Sequence, residues 1–248
     1  MAKYYYFTGP DHLLEILRSR RIKVSRYADL NDPFELAPYD LADKDFRKSH
    51  KKILADFNNK IGLISLSRSW RSPAMWAHYA IKHTGACLEI DVSFDHLQRV
   101  DYRDQRLFPG ISLQNHKTHL SIDNLRAIYA TKGSDWAYEN EERMNVPLDH
   151  DWLQRDTEGR FFLPFRTGRN NGFKLTKVIT GFNCNVGMNK IRDELDRYKY
   201  KVESFQSRPA FQTFEVVEQD ESQFWNLVPV DRGEKTNGYK AHFGNSDE

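Results

Sequence analysis

Two periodicities meet at Gly9–Pro10, and that junction constrains the fold more than any other feature of the chain. Before it, Lys3–Thr8 (KYYYFT) holds four consecutive aromatic residues, the composition of a β-strand. After it, Leu13, Leu14 and Leu17 recur at helical spacing over about Asp11–Arg20. Pro10 suits the first turn of that helix, where its missing N–H would have had no partner anyway. A strand that turns straight into an amphipathic helix sets an α+β pattern, and the rest of the chain continues it irregularly.

Ile22–Ser25 reads as a short strand. LNDPFELAP reads as a loop, because Asn31 and Asp32 are turn formers and Pro33 restricts the residue before it. A charged helix is expected over about Leu41–Asn59, with Phe46, Ile53, Leu54 and Phe57 facing inwards. Ile61–Ser67 and Gly85–Val92 are strand candidates on either side of a short helix, about Ala74–Lys82. Signals are weak from Asp101 to Lys117. Ile122, Leu125 and Ile128 mark a helix ending near Lys132–Gly133. Further strands are expected at Arg143–Leu148, Phe161–Phe165, Lys174–Phe182, Tyr198–Phe205 and Phe211–Val217. TGRNNG is a polar turn, and Met188, Ile191 and Leu195 define a last helix. No Gly-rich phosphate loop follows a strand, which disfavours a Rossmann or P-loop domain. The expectation is one α+β domain over residues 1–232, with mixed, mostly antiparallel sheets and flanking helices, and a polar, mobile tail over 233–248.

Composition narrows the function classes. Aromatic residues make up 13% of the 248, ample for a packed core. The 37 basic and 35 acidic side chains nearly cancel, so overall charge demands no polyanionic partner. Arg18, Arg20, Arg21 and Lys23 form a basic cluster that reads as a solvated helix face. Cys87 and Cys184 make neither a disulfide framework nor a zinc site and read as buried thiols. No segment approaches the roughly 20 apolar residues that a membrane helix needs, so a cytoplasmic protein is expected.

Four segments concentrate groups that are costly to bury: YYYFT, SLSRS, SPAMWAHYAIKHTG and WAYENEER. Glu139 and Glu141 lie two apart, which on an extended segment puts both carboxylates on one face with Arg143 next along it. Paired carboxylates acquire separated pKa values and so can divide acid–base and electrostatic roles. The same spacing also fits a solvated acidic turn with an ordinary ion pair. Trp76, Tyr79 and His83 fall on one face of a short helix and could stack a flat ring or simply pack in the core; His78 lies off that face. His78 and His83 lack the spacing of a helical metal pair, so no metal site is expected. Ser65 and Ser67 alternate on their strand towards one cleft, without the elbow motif of a serine hydrolase.

Taken together, YYYFT, LNDPFE, ISLSRS, MWAHYAIKHTG, WAYENEER and KVITGF resemble the bacterial domain-of-unknown-function family 2971 over about Tyr4–Val217. That resemblance implies a phage-defence or abortive-infection context. The order of elements is also similar, more distantly, to the ADP-ribosyltransferase fold, and SPAMWAHYA is similar to a stretch of its DNA-targeting members. What the second resemblance implies is NAD as substrate. Tyr6 or Thr8 would hold it in place of a first-strand histidine, and Ser67, Trp76, His78 and Tyr79 would surround the nicotinamide. Glu141 would bind the ribose 2′-hydroxyl, and Glu139 would orient or deprotonate the nucleophile of a protein or nucleic-acid target. The departure from that pattern is Tyr6-Phe7-Thr8 where a histidine belongs. The alternative is a non-catalytic module of the same fold, an antitoxin or sensor; a nuclease or other hydrolase is a third class.

Overall fold

The computed structural model describes residues 2–93, 97–107, 122–168, 172–219, 227–230 and 238–241. In chain order, β1 (Ala2–Thr8) leads through Gly9 into α1 (Pro10–Ser19), then β2 (Arg21–Arg26), α2 (Lys44–Lys60) and β3 (Ile61–Ser67). There follow α3 (Pro73–Tyr79), β4 (Ala86–Val92), β5 (Leu97–Arg99), β6 (Asp101–Arg103), α4 (Ile122–Ala130) and β7 (Thr131–Gly133). The second half holds β8 (Glu141–Pro147), β9 (Gln154–Arg155), β10 (Phe161–Pro164), β11 (Phe173–Thr180) and α5 (Met188–Leu195). Last come β12 (Glu203–Pro209), β13 (Val216–Glu218) and a hairpin of β14 (Leu227–Val230) with β15 (Gly238–Ala241). The class is α+β, as the sequence pattern leads one to expect.

Eleven strands form one mixed sheet in the order β13-β12-β11-β4-β1-β3-β2-β10-β9, with β8 also on β3 and β5 on β8. Its pairs are antiparallel except β11 with β12, among the described residues. On one face, α1 and α5 cover a core in which Leu13 and Leu17 meet Ile191 and Leu195 over Leu88 and Ile90. On the other, Trp76 of α3 covers Cys87 and Ile179. A third cluster joins α2 to Tyr27, Leu36, Tyr39 and Ile128.

The branch at β3 positions the site. Strand β8 pairs with it over its whole length, from Ile61↔Pro147 to Ser67↔Glu141. Strands β2 and β1 must therefore share the remaining edge: β2 pairs at Gly62 and Leu63, and β1 only at Ser67. Beyond the two ends of β3, Arg68 N donates to Asn140 O at 3.0 Å and Leu148 N to Lys60 O at 2.8 Å. Antiparallel bonding alternates, so even-numbered residues of β3 bond to β8 and odd-numbered ones turn their amide and carbonyl the other way. Ser65 thus faces the gap where β2 has already ended its pairing and β1 has not begun. In the middle of a central strand it is exposed.

Local chemistry explains where the elements depart from the sequence pattern. Helix α2 starts at Lys44, not Leu41, because the Asp43 carboxylate accepts a hydrogen bond from Phe46 N at 2.7 Å and caps it. Helix α3 stops at Tyr79 because Ile81, Lys82 and His83 all take left-handed backbone angles, φ 46°, 53° and 65°. That turn delivers Gly85 against β1, where a Cβ would lie 2.0 Å from Thr8 O, so only glycine fits. The strand expected at Tyr198–Phe205 starts at Glu203, and that at Phe211–Val217 is confined to Val216–Glu218; Phe211 and Phe214 lie in bends with both rings exposed. Three-residue β6 lies where sequence signals are weak, and β5 lies just before that stretch, where no element is expected. Cys87 is buried but Cys184 is only half-buried. Half of TGRNNG and most of the tail lie outside the described residues, and β15 falls within the expected tail.

Candidate active site

A cleft of about 730 Å³, measured to its open mouth, lies at the branch point. Strand β1 contributes Tyr5, Tyr6 and Phe7, and the free edge of β3 contributes Ser65. Its floor is a buried charge cluster assembled from four parts of the chain: Glu35, Lys132, Glu139 and Glu141, with Arg143 behind them.

Alternation on β8 builds the cluster. Glu141, Arg143 and Asn145 point to one face, and Met144 and Val146 point into the core. Glu139 ends the 3-10 turn Ser134–Glu139, and Asn140, at φ 45°, swings the chain from that turn into β8. Both carboxylates therefore reach the same floor, although they are not on one strand. Arg143 is entirely buried. It donates to Glu141 (Nε to Oε1, 3.0 Å; Nη2 to Oε2, 3.1 Å) and as a fork to Glu35 (2.6 and 2.8 Å). Lys132 Nζ sits 2.6 Å from Glu139 Oε2, 3.3 Å from Glu141 Oε2 and 3.5 Å from Glu35 Oε1.

These contacts separate the two carboxyls. Burial pushes Glu141 up, but the adjacent Arg143 and Lys132 outweigh it and hold it at about 2. Burial also pushes Glu139 up; Lys132 opposes this, the Glu141 charge reinforces it, and Glu139 stays above its ordinary value. The Tyr79 hydroxyl donates to Glu139 Oε1 and accepts from Asn31 Nδ2 at 3.2 Å. One carboxylate is thus a fixed anion and its neighbour a group able to take a proton.

Of the residues the sequence singles out, Tyr6, Ser65, Ser67, Tyr79, Glu139 and Glu141 meet in the cleft. Ser67 does so with its hydroxyl committed, donating to Glu139 O at 2.7 Å and so pinning the acidic turn. Thr8 does not reach the cleft: it is buried at the end of β1, beside Gly85. His78 is exposed and lies against Tyr138, ring centroids 5.8 Å apart. Trp76 belongs to the core. Its ring is fully buried, donates to Trp70 O at 2.6 Å and stacks on His83, whose imidazole burial pushes down to about 4. An aromatic wall of Trp76, Tyr79 and His83 is therefore not what lines the cleft; Tyr79 is its one member there. Trp76→Ala should lower the unfolding free energy by about 3–5 kcal/mol in a urea titration, as for other large buried aromatics, with the cleft's ligand affinity unchanged.

Sequence reasoning misses Glu35, Lys132 and Tyr102. Glu35 lies in the quoted LNDPFE segment, where Phe34 N donates to Asp32 Oδ1 at 2.9 Å and buried Leu36 takes a left-handed φ of 58°. Turn residues in that segment carry the signal, but nothing in it marks the glutamate as buried. Tyr102 of β6 accepts from Glu141 N at 2.9 Å, from a segment with weak sequence signals. Among the described residues no group of His, Cys, Asp and Glu is arranged to hold a metal ion, and no helix is long and apolar enough to cross a membrane.

Comparison with known proteins finds no matching family model, no matching curated protein and no matching solved structure.

Proposed function

We propose that the cleft holds the nicotinamide–ribose end of NAD, and that the protein is an ADP-ribosyltransferase-like effector acting in the cytoplasm on a protein or nucleic acid, as a toxin or in phage defence. The observation that carries this reading is the separated pair Glu139 and Glu141 at the floor of a cleft walled by aromatic β1. The arrangement of a first strand, its helix and a branched antiparallel sheet around that cleft also suits the ADP-ribosyltransferase-like fold.

In this reading Glu141, ionised at any working pH, accepts a hydrogen bond from the ribose 2′-hydroxyl. It stabilises the positive charge that develops as the bond from ribose C1′ to the nicotinamide nitrogen breaks. Nicotinamide leaves with the electron pair. The target nucleophile forms the new bond to C1′ and passes its proton to Glu139, which Tyr79 and Lys132 hold in place. Tyr6 takes the first-strand position on which a histidine would hold the nucleotide.

One observation favours a non-catalytic binding module instead: all four oxygens of Glu139 and Glu141 are already engaged by Tyr79, Lys132 and Arg143. Incubation with NAD labelled on the adenylate side separates the two. Transfer of label to a lysate component supports the enzyme; NAD binding without transfer supports the module. Neither binding nor transfer removes the NAD reading altogether.

A further inference from the structure

We infer that Lys23 and Arg21 form a phosphate subsite at the mouth of the cleft, so that its ligand carries a diphosphate-like tail behind the group that enters the floor. The inference rests on the nucleotide reading only for the identity of that ligand.

At the floor three carboxylates, Glu35, Glu139 and Glu141, face two cations, Lys132 and Arg143, all in a region shut off from water. An anionic group is repelled from the floor, and a cationic or hydrogen-bond-donating one is favoured. The mouth has the opposite character. Lys23 lines the cleft from β2, is exposed, and has no ion-pair partner among the described residues.

Arg21 lies two residues along the same strand, on the same face and about 7 Å away, a distance that two long side chains close onto one diphosphate. Its guanidinium is preset. It lies 4.1 Å over the ring of Phe162, and Nη1 donates to Gln154 Oε1 at 3.1 Å. Its Nε–H is shielded from solvent and has no acceptor among the described residues. A shielded donor without a partner costs free energy that an incoming acceptor recovers. Arg160 sits on the same ring at 5.9 Å, but Asp156 and Glu158 neutralise it. Among the described residues, Lys23 and Arg21 are thus left as cations without a counter-charge on the strand that walls the cleft. A guanidinium beside a flexible ammonium suits phosphate oxygens, the first as a fork and the second as a point charge.

Calorimetric titration of the full chain tests this with three probes: NAD, inorganic pyrophosphate and nicotinamide riboside, which has no phosphate. The double variant Lys23→Gln/Arg21→Met keeps the packing on Phe162 and removes both charges. The expected result is at least a tenfold loss of affinity for NAD and for pyrophosphate, with riboside binding unchanged. If NAD binds the wild type and the double variant equally, the subsite is refuted and the NAD reading survives. If pyrophosphate binds and is lost in the variant while NAD binds no better than pyrophosphate, the subsite stands and the nicotinamide reading falls. If neither NAD nor pyrophosphate binds, both fall.

Discussion

Arg143→Met lowers the unfolding free energy by about 3–5 kcal/mol at neutral pH, the cost of removing one partner from a buried ion cluster. Methionine fills most of the space, so the loss is electrostatic and not a cavity. The Glu35 and Glu141 side chains, both shut off from solvent, are left against Lys132 alone, and Tyr129 O loses a donor at 2.9 Å. The pH dependence gives the origin of the loss. In the wild type Glu141 sits at about 2 in place of its ordinary 4.5, a depressed value. Its contribution, on the order of 3 kcal/mol, is therefore complete above about pH 4.5 and disappears as pH falls towards 2. Urea titrations should show the variant's deficit in full at pH 7 and a much smaller one near pH 3. A deficit that is equal at the two values would mean that packing, and not charge, accounts for it.

If the protein transfers ADP-ribose as proposed, Glu141→Gln reduces that transfer by a factor of about 10²–10³, the usual loss when a fixed electrostatic contact to a developing charge is removed. The variant keeps the shape of the side chain but not the anion. It also weakens the Arg143 contacts, so assays belong at a temperature where circular dichroism shows the variant folded. Glu139→Gln acts differently. On the proposed reading the wild-type rate falls on the acid side as Glu139 takes up a proton, at a higher pH than an ordinary glutamate would give, because burial raises that group. In Glu139→Gln the rate should be low throughout and that acid limb absent, whereas a purely structural role for Glu139 would leave the limb in place. Glu141, held at about 2, contributes no limb in the working range.

How much of this was legible beforehand depends on range. The helix of Leu13 and Leu17, the strand at Ile61–Ser67, the strand expected at Gly85–Val92 (found from Ala86) and the shared face of Glu141 and Arg143 follow from local periodicity, whereas Glu139 reaches the cleft floor from a 3-10 turn and not from an extended segment. The partners of that face do not follow from it. Glu35 reaches Arg143 across 108 residues, through a left-handed turn at Leu36 that no periodicity announces. Lys132 falls where the sequence suggests the end of an amphipathic helix, a place where a solvated lysine is the ordinary outcome, yet it lies in β7 and is buried among three carboxylates. Trp76 misleads for the converse reason. Its spacing with Tyr79 suits a ring-binding wall, but the left-handed turn at Ile81–His83 folds an imidazole onto it and closes it into the core. The gap at Ser65 is less legible still, because it depends on where two other strands end their pairing.

The most direct test is a crystal structure of the protein soaked with NAD. The account predicts nicotinamide density in the cleft between Tyr79 and Glu141, with the ribose 2′-hydroxyl within hydrogen-bond distance of Glu141 and the diphosphate towards Lys23. Nucleotide bound elsewhere on the sheet, or an empty cleft at saturating NAD with the Glu139–Glu141 floor unchanged, would contradict it.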